Sequence, residues 1–223
     1  MGKFIELKAS DGHKLAAWLA EPSGKARGGV VVIPEVFGVN SHIKAVADGY
    51  AADGYRAVAP AMFDRAQRNY DTGYSQPEIQ AGVAIMQKLD WKQSMLDVEA
   101  ALAEANKAGK VGIVGYCYGG TVAWVAAARV SGLACSAPYY GGGMPGFIGE
   151  KPKCPTLCHF GEQDQSPTLE QSKAIAAAHP EITAHFYAGA GHGFNCDQRG
   201  SWNAAAAKLA RERTLQFFAK HLG

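Results

Sequence analysis

Residues 111–120 read VGIVGYCYGG. The run Val111–Val114 is apolar and rich in β-branched residues, the pattern of a strand buried on both faces. It stops at Gly115, and the following 121–130, TVAWVAAARV, reads as a helix packed through small residues. Between them Cys117 stands in G-x-C-x-G. A tight strand-to-helix turn with a reactive side chain at its tip needs that spacing, because a glycine on each side removes the Cβ atoms that would collide around the bend. Gly120 also lets the helix approach its neighbour. Taken alone the pattern is weak. The chain has 27 glycines, and an isolated free cysteine is as readily core filler as nucleophile.

Working outward, KFIELKA (3–9) and KLAAWLAE (14–21) flank Asp11-Gly12, a hairpin signal. GGVVVIP (28–34) predicts a doubly buried strand ending in PEVFGVN. Ser41 is placed to cap a helix running to about Ala52, and YRAVAP (55–60) predicts another strand. Residues 61–76 are polar and irregular, the longest candidate loop. Pro77 opens a helical region predicted to end near Gly109. LACSAPYY, TLCHF and TAHFYA read as strands, and 166–179 and about 202–221 as helices. After the hairpin, strand and helix alternate. That order predicts an α/β fold with a mainly parallel sheet between helical layers, as one domain spanning 1–223.

Composition narrows the class of function. The 223 residues are 48% hydrophobic, with 22 basic against 20 acidic side chains and a formal charge of +2. No basic tract invites nucleic acid, and no apolar run nears the roughly 20 residues of a membrane span. Five scattered cysteines and no signal-like N-terminus point to reduced thiols in the cytoplasm. Cys154, Cys158 and His159 mimic a metal cluster. On a strand, however, residues four apart lie about 13 Å apart and His159 faces the other way, so no metal is expected.

Ligands of open α/β sheets bind beyond the carboxyl ends of strands. Three reactive residues fall at such ends: Cys117 after VGIVG, Asp164 after TLCHF in GEQD, and His192 after TAHFYA in GAGHGF. Their chain order, nucleophile then acid then histidine, is that of α/β-hydrolases. A thiol at a helix N-terminus is favoured as thiolate, an adjacent imidazole lowers its pKa further, and a carboxylate fixes the imidazole tautomer. Alone, Asp164 also suits a turn and His192 a surface loop. The other histidines, His13, His42, His159, His179, His185 and His221, read as structural or exposed.

PEVFGVN at 34–40, GYCYGG at 115–120, GEQD at 161–164 and GAGHGF at 189–194 together resemble the dienelactone hydrolase family, over essentially the whole length and without room for a lid domain. The resemblance implies a Cys-His-Asp triad and two further assignments. The family's glutamate after its third strand falls on Glu35, where it takes the cysteine proton once substrate binds. The N–H groups of Val36 and Tyr118 fall on the oxyanion hole. It also implies a cofactor-free hydrolase acting on small-molecule lactones or esters, as a monomer or small homo-oligomer. A thioesterase or acyltransferase on the same triad, and a non-catalytic binding protein, remain open alternatives.

Family members acting on dienelactone hold its carboxylate with arginines. Here SQPEIQAGVAIMQ has none, and the position soon after His192 is Cys196. Arg199, Arg65 and Arg68 are the available substitutes, each also readable as an exposed arginine. Among the aromatics Phe37, Trp91, Trp124, Tyr139 and Tyr140, the candidates for the pocket wall are Phe37 and Tyr139.

Overall fold

Asp11 and Gly12 reverse the chain between β1 (Lys3–Lys8) and β2 (Lys14–Ala20), with Gly12 at φ 89° where a side chain would be strained. These two strands are antiparallel and form one edge of an eight-stranded sheet in a computed structural model that describes residues 2–223. The remaining strands are β3 (Gly29–Ile33), β4 (Arg56–Pro60), β5 (Val111–Tyr116), β6 (Leu133–Tyr139), β7 (Leu157–Gly161) and β8 (Thr183–Tyr187). The spatial order is β1-β2-β4-β3-β5-β6-β7-β8, and from β4 onward every neighbouring pair is parallel.

Helices cover both faces, none carrying an inserted lid domain. Helices α1 (Ser41–Ala52) and α6 (Ala204–His221) lie on one face. On the other lie α3 (Trp91–Ala105), α4 (Tyr118–Arg129) and α5 (Leu169–Ala178). The β-branched runs explain the two cores. Val31 and Ile33 of β3 point into the α3–α4 side, while Val30 and Val32 point into the α1–α6 side. Among the described residues no helix is long and apolar enough to cross a membrane.

Helix boundaries differ from the sequence expectation where a side chain caps earlier or later. Asn40, rather than Ser41, caps α1 by accepting from Ile43 N–H at 3.1 Å. The single helical region expected over 77–109 is two helices, α2 (Gln76–Met86) and α3, because Asp90 accepts from Gln93 N–H at 2.9 Å and starts a new helix. The Thr168–Gln171 capping box begins α5 two residues after Pro167, and Asn203 caps α6.

The long loop after β4 is fastened rather than free. Asp64 accepts from Ala16 N–H at 2.8 Å and Asn69 N–H at 3.1 Å. Arg65 makes a two-pronged pair with Asp97 of α3, at 2.7 and 2.8 Å, and reaches Asp11 of the first turn at 2.8 Å. Asp97 is 1% exposed, so removing it leaves a guanidinium whose main partner is gone. Asp97→Ala is expected to lower the unfolding free energy by about 3 kcal/mol in chemical denaturation; a loss indistinguishable from zero contradicts this anchoring role.

Candidate active site

Cys117 sits at φ 56°, ψ −116° between β5 and α4, a conformation costing about 1–3 kcal/mol for a residue with a side chain. Three glycines make it reachable. A Cβ on Gly115 would overlap the Gly119 carbonyl oxygen, one on Gly119 the Ile33 oxygen, and one on Gly120 the Tyr139 oxygen. The Cys117 N–H donates to Tyr139 O at 3.1 Å, and Thr121 N–H donates to Cys117 O at 3.2 Å as α4 begins. The thiol therefore stands half-buried at a helix N-terminus.

Asp164, just past β7, is 3% exposed. Its Oδ1 accepts from Ser166 N–H at 2.7 Å, and its carboxylate meets His192 Nδ1 at 3.0 and 3.2 Å. A carboxylate only accepts, so Nδ1 carries a proton. His192 and Cys117 line the same cavity of about 530 Å³. Burial alone lowers the imidazole pKa. The charge of Cys117 and the hydrogen bond to Asp164 outweigh it and hold the group well above its ordinary value.

Glu35 follows β3 and is 1% exposed. Its Oε1 accepts from Arg199 Nη1 at 2.9 Å, while Oε2 is buried with no partner among the described residues. Arg199 is itself 5.4 Å from the Phe37 ring centre and lines the cavity with Phe37, Val36 and Tyr118. The Val36 and Tyr118 N–H groups donate to no other group among the described residues, which leaves both free for a ligand. Of the three arginine candidates, the structure brings only Arg199 to the site. Arg65 is spent on Asp97 and Asp11, and Arg68 donates to the Lys14 carbonyl.

Tyr139 does not line the cavity. Its ring turns into the α6 side, tilted 32° to the His159 ring with centres 4.2 Å apart, and its hydroxyl meets Thr214 at 2.6 Å. Alternation along β6 explains this: the residue whose carbonyl receives Cys117 N–H points its side chain away from the site. Tyr140 takes the adjoining place, at φ 36° with its ring 5.3 Å from His192. His159 is structural, held by Tyr187 at 2.7 Å and Thr214 at 3.0 Å, and Cys158 faces the opposite core. One other group has metal-compatible donors, His42, Cys196 and Asp197, although His42 Nδ1 already pairs with Asp197 at 3.0 Å. Sequence reading missed the far wall of the cavity, to which Ile79, Val83 and Met86 of α2 contribute. Their helical spacing was the available signal.

A model of the dienelactone hydrolase family matches residues 15–222. The chain belongs to that family. A Synechocystis protein described as "Putative carboxymethylenebutenolidase" is 34% identical over 94% of this chain and 93% of its own length. A carboxymethylenebutenolidase of Pseudomonas putida is 31% identical, covering 96% and 95%. A Klebsiella pneumoniae structure described as "Putative Dienelactone Hydrolase" superposes with a TM-score of 0.84 over 99% of both chains at 24% identity, which speaks to the fold alone. This dienelactone hydrolase family member is thus a hydrolase with an α/β-hydrolase fold. Arg199, three residues beyond Cys196, brings its guanidinium against Glu35.

Burial pushes the thiols of Cys154 and Cys196 up to about 11, and raises Cys135 and Cys158 further. Iodoacetamide at neutral pH is therefore expected to modify Cys117 alone, as read by peptide mass mapping; primary labelling at Cys196 contradicts the assignment. Gly119→Ala is expected to destabilise the fold by about 3 kcal/mol in thermal unfolding, since the new methyl meets backbone that has nowhere to move. Gly146→Ala, where a Cβ meets nothing within 4 Å, is the control, expected within about 0.5 kcal/mol of the parent.

Proposed function

We propose that this enzyme hydrolyses lactones or small carboxylic esters through an acyl-thioester on Cys117. The observation that carries the reading is the shared cavity: a thiol presented on a strained elbow, facing an imidazole whose Nδ1 is fixed by a buried carboxylate. The Cys117 sulfur attacks the carbonyl carbon. The carbonyl oxygen takes the negative charge and accepts from the Val36 and Tyr118 N–H groups, each such donor contributing about 3 kcal/mol to the transition state. Collapse breaks the carbon–oxygen bond, and the leaving oxygen takes a proton from His192. In a lactone that oxygen stays on the acyl chain.

The charge pattern then reverses the role of His192. While Cys117 is anionic, its charge holds the imidazole protonated. Acylation makes the sulfur neutral, that support disappears, and burial drives the imidazole towards its neutral form. Neutral His192 can take a proton from water, which attacks the thioester and releases the acid and the thiolate. Glu35 regulates the start of the cycle. It is buried, paired with Arg199 through one oxygen, and has a second oxygen with no partner. Loss of the Arg199 contact leaves a buried carboxylate whose most favourable response is to accept a proton. The Cys117 thiol is the donor this reading assigns; the thiolate then draws a proton from solvent onto His192, which is the proton the leaving oxygen takes, and Glu35 returns its proton to the sulfur when its contact with Arg199 re-forms after product release.

Substrates are taken to be small molecules of the cytoplasm, and every step uses groups of the chain alone. With p-nitrophenyl acetate, Cys117→Ala is expected to reduce kcat/KM by at least about 1,000-fold. Asp164→Asn is expected to reduce kcat by about 100- to 10,000-fold with KM little changed, because the wrong tautomer is held. Acid-quenched mixtures should show an acetyl group on Cys117 by mass spectrometry. Turnover that survives Cys117→Ala, or an adduct on another residue, refutes the thiol mechanism.

A further inference from the structure

One wall of the cavity has no part in breaking the ester bond. Ile79, Val83 and Met86 lie on one face of α2, and Leu89 and Trp91 continue the surface into α3. The wall stands beside the oxyanion donors. Gly82 of α2 packs so closely on the Val36 carbonyl that a Cβ there has no room, and the Trp91 ring lies 6.1 Å from that of Tyr118. The opposite wall, with Gly142 and Ser166, belongs to the His192 side, because Ser166 N–H donates to the carboxylate that holds His192.

In the tetrahedral adduct the reacting carbon carries four groups. The sulfur comes from Cys117, the oxyanion faces Val36 and Tyr118, and the leaving oxygen must face His192 to receive its proton. The acyl chain takes the remaining direction, away from His192 and towards α2 and α3. The polar residues lining that side, Gln87 and Ser94, carry no charge, and the Arg199 guanidinium lies against Glu35 and Phe37 rather than on α2 or α3.

We infer that the α2–α3 wall is an acyl-binding site for an uncharged, apolar acyl chain of medium length. This rests on the thiol-ester reading above. It names a specificity that the arginine-free sequence of α2 imposes. A carboxylate at the far end of the acyl chain meets the apolar side chains of that wall, which is costly. The same surface gains from each methylene it covers.

The test compares p-nitrophenyl acetate, butyrate and hexanoate with the mono-p-nitrophenyl ester of adipic acid, whose acyl chain matches hexanoate but ends in a carboxylate. The expected result is a rise in kcat/KM of roughly fourfold per methylene. The adipate ester should fall at least about tenfold below hexanoate. Val83→Trp, which fills the wall, is expected to cut the hexanoate-to-acetate ratio at least about tenfold. Met86→Ala, which enlarges it, should move the optimum towards octanoate, and it decides the matter if Val83→Trp does not fold. Rates that are flat or falling with chain length, an adipate ester as good as hexanoate, or ratios untouched by Met86→Ala overturn the acyl site while leaving the thiol mechanism standing. Failure to turn over any ester overturns both.

Discussion

The close approach of backbone to backbone around Cys117 is the constraint on which the other features depend. Carbonyl oxygens of Gly119, Ile33 and Tyr139 occupy the volumes where side chains of Gly115, Gly119 and Gly120 would begin. Strands β3, β5 and β6 and helix α4 are thereby brought within backbone contact of one another. The left-handed conformation of Cys117 is held against its own strain by that packing and by the buried helix behind it, where Trp124 is fully enclosed and its ring N–H donates to the Phe147 carbonyl at 3.1 Å. Orientation of the thiol and of the Tyr118 N–H both follow from this local geometry.

Two buried carboxylates stand behind groups that line the thiol's cavity, Asp164 behind His192 and Glu35 behind Arg199, and they are neutralised differently. Asp164 is satisfied by Ser166 N–H and by His192, so its negative charge is used to orient. Glu35 has one satisfied oxygen and one bare one. An unpaired buried acceptor costs about 1–3 kcal/mol, and the one charged partner of Glu35 among the described residues is a cation that also lines the cavity. The first pair suits a fixed geometry. The second suits a group meant to change partners, which is the part it plays in the proposed mechanism.

Much of this was legible in the sequence because the decisive signals are local. Doubly buried strands announce themselves as β-branched runs, and residues at strand ends fall on one rim of a parallel sheet whatever lies between them. That placed Cys117, Asp164 and His192 on one rim, to which the family resemblance added Glu35. What failed was information carried by side-chain direction or by competing caps. Tyr139 and Tyr140 are neighbours, and only the register of β6 at its end decides that Tyr140 meets His192 while Tyr139 meets Thr214. The break between α2 and α3 depends on Asp90 winning as a cap within a stretch that is helix-favouring throughout. The α2 wall was hidden for another reason: its spacing looks the same whether the face covers a core or lines a cavity.

Arg199 shows what a long side chain does to the meaning of position. Its backbone stands seven residues after His192, yet its guanidinium reaches Glu35 at 2.9 Å. Charge compensation at a buried site is fixed by where the head group ends up, and a flexible stem lets several backbone addresses deliver the same head group. The neutralisation of Glu35 is therefore invisible from position alone and shows only when the reach of the side chain is counted along with its place in the chain.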